Sequence, residues 1–218
     1  LSIFLFAVAI RLFYFFKFGS QPLWFDEAEY MSKSKNVAFG FDWITSWSPR
    51  KPILLAWLFV PFLKMGFNEP ALRFVLVLFS IAGVWFAYYA SKEFFDKRIA
   101  LITTALMAVF WVNLFFSIRF MVDMPAATLI LASLYFFAKG YVKKENPKYL
   151  WLAGAFFALG FLMRVSYGIF LFPIAIYMLL EEKLAIFKNK QLWIAILIGF
   201  LVILPFFVWL FHAFPDDP

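Results

Sequence analysis

The stretch Pro52-Ile53-Leu54-Leu55-Ala56-Trp57-Leu58-Phe59-Val60-Pro61-Phe62-Leu63-Lys64-Met65-Gly66-Phe67 decides how this chain is threaded through a membrane. A bilayer crossing needs about 20 consecutive apolar residues, with a range of roughly 17–25, and this run supplies about 14. Pro61 interrupts it, and Lys64 and Gly66 end it. Its length fits an interfacial or re-entrant helix better than a span. If it does not cross, Asp26, Lys51, Arg73, Asp123 and Arg164 all fall on one face of the membrane.

The sequence on either side is that of a membrane protein. Of the 218 residues, 65% are hydrophobic, where soluble domains run at roughly 45–50%. Mean hydropathy is +0.86. The charged residues, 15% of the chain, cluster between long apolar runs. The 34 Phe suit a bilayer interior and the 9 Trp its interfaces. Apolar runs predict transmembrane helices at about 1–18, 72–91, 99–118, 124–138, 149–163, 165–180 and 192–211. The expected fold is all-α and integral to the membrane. It is a single transmembrane domain over 1–218, with seven helices and an extracytoplasmic loop, 19–71, carrying interfacial helices. These helices are apolar all round, so periodicity carries little rotational information.

The first run has no signal-peptide cleavage pattern and reads as a retained helix. The chain starts at Leu1 and stops just after its last helix, which reads as a piece of a longer protein whose C-terminal part is absent. Cysteine is absent, which excludes a disulfide framework and a thiolate metal site. The net charge of +7 reads as Lys and Arg facing lipid headgroups, not as a nucleic-acid surface.

Three short loops carry Lys92, Lys97 and Arg98, then Lys139, Lys143, Lys144 and Lys148, then Lys183, Lys188 and Lys190. Short Lys-rich loops are cytoplasmic. The face bearing Asp26 and Asp123 is therefore extracytoplasmic, in the plasma membrane of a prokaryote more readily than in the endoplasmic reticulum. No ionisable residue sits in the middle of helices two to seven. Arg11 is the exception in helix one, expected toward its outer end, reaching the interface or a lipid phosphate. Gly154 and Ala158 are positions for close helix packing, and His212, the single histidine, reads as interfacial.

The outer face collects the polar chemistry. Gly19 to Tyr30 reads Gly-Ser-Gln-Pro-Leu-Trp-Phe-Asp-Glu-Ala-Glu-Tyr, so Asp26 and Glu27 emerge where the membrane ends. Asp26 and Glu29 have capping-box spacing, and a cap can still face a cleft. Further along come Lys51-Pro52, Arg73, Arg119, Asp123 and Arg164. Each cation can be a snorkelling helix end, and Arg73 can pair with Glu69 four residues earlier. Helices four to six, at about 15–16 residues, are short for a bilayer, so their outer ends lie in a recess. Carboxylates and cations in a recess open to lipid suit a lipid-linked phosphate and an attacking hydroxyl.

This pattern resembles the GT-C membrane glycosyltransferases, in the branch of the protein O-mannosyltransferases and the lipid A aminoarabinose transferases. The resemblance runs over nearly the whole chain. It rests on Asp26-Glu27 with Tyr30, Lys51-Pro52, the Gly66, Glu69 and Arg73 stretch, Asp123 opening helix four, and Arg164 with Gly168 ahead of helix six. The resemblance implies inverting transfer of a sugar from a polyprenyl-phosphate donor, dolichyl- or undecaprenyl-linked, to a hydroxyl on protein, lipid or glycan. It implies Asp26 as general base and Asp123 orienting acceptor or sugar. Lys51, Arg73 and Arg164 would stabilise the leaving phosphate, and Glu27, Tyr30 and Arg119 would complete the substrate-binding set. Arg50 stands where the aminoarabinose transferases carry an acidic residue, and Arg164 where Lys is usual. No cofactor is firmly implied, and no residue here supports a divalent cation. Two other readings stand beside it. A flippase for lipid-linked sugars predicts charges or broken helices near the midplane. A non-catalytic subunit predicts loss of the carboxylate and cation set.

Overall fold

The computed structural model describes residues 2–41 and 54–213. Those residues form ten α-helices and no strand. After α1 (Ser2–Phe18) come α2 (Phe25–Phe39) and α3 (Leu54–Lys64). The bundle continues as α4 (Glu69–Phe94), α5 (Lys97–Val109), α6 (Trp111–Ser117), α7 (Asp123–Phe137) and α8 (Pro147–Met163). It ends with α9 (Leu171–Glu182) and α10 (Lys190–Ala213).

Seven spans are expected, and three of the described helices are long and apolar enough to cross alone. These are Glu69–Phe94, Asp123–Val142 and Lys190–His212. A fourth crossing exists if α5 and α6 count together, although they meet at a bend of 59°. α1 and α8 have 17 residues each, about 25 Å at 1.5 Å per residue, short of a hydrocarbon core of about 30 Å. α3, at 11 residues, reaches about 16 Å.

Local chemistry sets these boundaries. Asn68 accepts the Ala71 N–H at 3.1 Å and Pro70 occupies the first turn, so α4 starts before the expected Leu72. α7 runs through Ala138 into a π-helical turn, Ala138–Val142, so the expected short helix 124–138 is a 20-residue one. A recess can no longer rest on shortness there. The expected helix 165–180 opens instead as a 3-10 segment, Val165–Phe170, and only Leu171–Glu182 is α-helical. Pro173 explains this: it has no N–H to bond back to Ile169, which suits the first turn of a helix but not its interior.

The core joins α2 and α3 to the rest of the bundle. Met31 of α2, Leu55 and Phe59 of α3, Leu72 and Leu76 of α4, Phe120, and Met163 of α8 are all buried in one cluster. Phe59 and Phe120 rings lie 4.6 Å apart. α3 thus spends its apolar face against α2 and the bundle. α8 and α10 approach closely where Gly154 faces the Ala195 backbone, and Gly199 lies over Ala158, as the small residues predict.

Arg11 is not at the interface. It is fully buried, and all five N–H groups are used. Nε donates to Ser80 Oγ at 2.8 Å, and Nη1 donates to Ala7 O at 3.0 Å and Ala108 O at 3.5 Å. Nη2 donates to Met107 O at 3.1 Å and Asn113 Oδ1 at 2.5 Å. Met107 and Ala108 are in the last turn of α5, whose carbonyls have no helical partner because Phe110 turns extended at φ −61°, ψ 114°. A cation at a helix C-terminus also meets the negative end of the dipole. Arg11 therefore holds the break that divides the expected helix 99–118.

Candidate functional site

After α1 the chain returns to helix at Trp24, whose extended backbone (φ −77°, ψ 169°) caps α2. Asp26 is therefore the second helical residue, and the expected pairing of Asp26 with Glu29 as a capping box does not form. Glu27 takes that role, accepting the Trp24 N–H at 2.9 Å. Asp26 is exposed in the first turn, where a negative charge meets the positive end of the helix dipole. Among the described residues no hydrogen bond or ion pair engages it.

The expected outer-face residues divide into two groups. The first is buried. Glu27 has 0% exposure, Arg73 1% and Arg119 4%. The Phe120 N–H donates to Glu27 Oε1 at 2.7 Å, and Arg119 Nη1 donates to Oε2 at 3.0 Å. Arg73 Nη2 stands 3.7 Å from Glu27 Oε1, and neither Nη of Arg73 makes a hydrogen bond. The alternative pairing of Arg73 with Glu69 is not formed, since Glu69 lies 3.6 Å from Lys35. Arg119 stacks over Trp24, with 3.9 Å from guanidinium carbon to ring centre, and over Phe115 at 4.8 Å. Its Nη2 donates to Gln21 Oε1 at 3.3 Å.

The second group is open. Asp123 is the first residue of α7, and Arg164 follows α8 in extended backbone (φ −151°, ψ 103°). Arg164 Nη1 donates to Asp123 Oδ1, both side chains being part-exposed. Arg164 Nε donates to Ser166 Oγ at 3.3 Å, and its guanidinium carbon lies 5.9 Å from the Tyr167 ring centre. Tyr30 of α2 is half-buried between these elements. Its phenol is pushed above its ordinary value, first by burial and then by the carboxylates of Asp123, Glu29 and Asp26, with Arg164 opposing. Tyr30 is thus a neutral donor inside the field of Asp26, Asp123 and Arg164. Glu29, on the same helix, binds Lys33 at 2.6 Å.

Lys51, with Arg50 and Pro52, lies outside the described residues. The structure adds Gln21, Trp24, Ser166, Tyr167 and the Phe120 amide to the sequence-predicted residues. Only Trp24 carried a sequence signal, as an interfacial aromatic. An apolar cavity of about 290 Å³, lined by Ser2, Phe6, Ala105 and Ala108 among others, includes none of the candidate residues. The open group can bind an anion at Arg164 and a hydroxyl at Tyr30 or Asp123.

Residues 50–209 match the family described as dolichyl-phosphate-mannose-protein mannosyltransferase. The match covers most of the chain and includes Lys51, Arg73, Arg119, Asp123 and Arg164; Asp26, Glu27 and Tyr30 precede it. Comparison with curated proteins finds no match.

Proposed function

The chain belongs to the dolichyl-phosphate-mannose-protein mannosyltransferase family, and from that premise we propose an inverting transfer of a sugar from a polyprenyl monophosphate to a hydroxyl acceptor. It is a membrane glycosyltransferase of the GT-C type. The donor carries dolichyl- or undecaprenyl-type phosphate, and a protein hydroxyl is the acceptor the family favours, with lipid and glycan as alternatives. The site faces the extracytoplasmic side.

The single observation that carries the reading is the exposed Asp26 carboxylate on the first turn of α2, which no hydrogen bond or ion pair engages among the described residues. In the proposed step the acceptor oxygen attacks the anomeric carbon. The bond from that carbon to the phosphate oxygen breaks, and its electron pair leaves on the polyprenyl phosphate. Asp26 removes the hydroxyl proton. Arg164, with Lys51, offsets the charge growing on the leaving phosphate. Asp123 and the neutral Tyr30 orient the sugar or acceptor.

Membranes holding the full-length protein, incubated with a radiolabelled polyprenyl-phosphate sugar, test this directly. Label passing into protein, with the anomeric configuration inverted, is the expected result. Donor that is bound but never consumed would leave a non-catalytic subunit as the better reading.

A flippase has one observation in its favour: a buried Arg11 beside a broken helix, the two features expected of a transporter. Arg11, however, has every N–H occupied by the protein itself. A transport-site cation needs a free face. The break is accounted for as structure.

A further inference from the structure

We propose that Glu27 is the positioning residue that holds the first outer loop, and with it Asp26, in register with the start of α7. The inference rests on the reading of Asp26 and Asp123 as the reacting and orienting carboxylates. Glu27 itself touches no substrate in this arrangement, because it is fully buried.

The geometry points to this role through what each oxygen holds. Oε2 accepts from Trp24 N–H at 2.9 Å and Arg119 Nη1 at 3.0 Å, and Oε1 accepts from Phe120 N–H at 2.7 Å. One carboxylate therefore joins the N-terminus of α2 to a backbone amide three residues before Asp123. Arg73, 3.7 Å away on α4, ties the same carboxylate to the longest helix of the bundle. The cluster holds two guanidinium groups against one carboxylate, and both Nη atoms of Arg73 lack hydrogen bonds. Loss of the Glu27 charge leaves two buried cations facing each other, so the loop cannot keep its place. Asp26, the adjacent residue, then loses its fixed distance to Asp123. A misplacement of about 1 Å lowers a rate by roughly 10²-fold.

The test uses the full-length protein. Nitroxide labels at cysteines replacing Ala28 and Met121 report the distance between α2 and the segment before α7; these 218 residues hold no cysteine, and any outside them is replaced by Ser first. Glu27→Gln is expected to broaden that distance distribution and to lower kcat by roughly 10²-fold, with the donor KM within about 2-fold of the parent. Glu27→Asp keeps the charge and shortens the reach, so it is expected to fold and to show the same effects at smaller size. It serves if Glu27→Gln does not express.

An unchanged distance distribution in both variants overturns the proposal, whatever happens to the rate. So does a broadened distribution with normal kcat. A purely structural role would lower the yield of folded protein and leave kcat per folded molecule unchanged, which also overturns it. The distance readout does not depend on Asp26 being the base. If Asp26→Asn is fully active while Glu27→Gln still broadens the distribution and lowers kcat, the base assignment fails and the positioning role stands.

Discussion

Arg164 donates to the carboxylate of Asp123 across 41 positions of sequence, joining the start of α7 to the end of α8. Each partner is part-exposed, so the pair is accessible to a ligand as well as to itself. On the proposed reading, a donor phosphate binding at Arg164 would compete with Asp123 for the guanidinium.

That competition makes the two residues non-additive. Arg164→Ala is expected to raise the donor KM and lower kcat, since a phosphate contact acts in both ground and transition states. Asp123→Asn frees Arg164 for the phosphate while removing the orienting charge, so KM falls as kcat falls. A double-mutant cycle on kcat/KM should give a coupling of about 1 kcal/mol. Additive effects would show that the pair is not used in the reaction. Arg164→Lys keeps the charge and loses the planar fork, so it should recover part of the donor affinity.

Asp26→Asn separates the base from the helix end. Asn and Asp favour helix N-termini about equally, so the variant is expected to fold. A general base supplies roughly 10²–10⁴-fold, so turnover should fall by at least 10²-fold with donor binding intact. Asp96→Asn is the control, since Asp96 caps α5 at the other side, accepting the Ile99 N–H at 2.8 Å. A stable Asp26→Asn protein with near-normal turnover would leave Asp26 as a helix-end residue only.

Tyr30→Phe probes protonation. The native phenol is raised above 10.0 by burial and by the nearby carboxylates, so it keeps its proton throughout the neutral range. An acid whose folded pKa is raised contributes stability below its unfolded pKa, and that contribution is lost as pH rises through the folded one. Removing the hydroxyl should therefore lower the height of the pH–rate profile without changing its shape below pH 10.0. A limb that disappears from the profile would make Tyr30 the titrating base.

Arg11→Leu should destabilise the protein by about 3 kcal/mol, as leaving buried acceptors without their donor does. It strands the last carbonyls of α5 together with Ser80 and Asn113. Thermal unfolding in detergent measures it. Arg11→Lys offers three donors for five acceptors and should fall between. A Leu variant as stable as the parent would mean that the α5–α6 break holds itself.

Cysteines replacing Ser20, Asn68 and Ser166, all exposed, should label from outside the cell with an impermeant reagent if α3 does not cross. Protection of Asn68 and Ser166 while Ser20 labels would place α3 across the membrane.

Membrane class and the all-helical build could be read from the chain, because each depends on local quantities. Apolar run length, Asn68 before Pro70, and Lys in short loops act within one turn or one loop, and burial in lipid needs no partner residue. The tertiary structure decided which polar groups meet. Glu27 and Asp26 are neighbours of like charge, yet one is sealed under Arg119, 92 positions away, and the other faces out. Arg11 likewise finds Asn113 across 102 positions and breaks a run that hydropathy alone draws as one helix. Hydrophobicity is a sum over a window and can be read in order. An ion pair between distant positions weakens with distance, so only the packed helices, by bringing those positions within 3–4 Å of one another, determine which carboxylate is buried and which faces out.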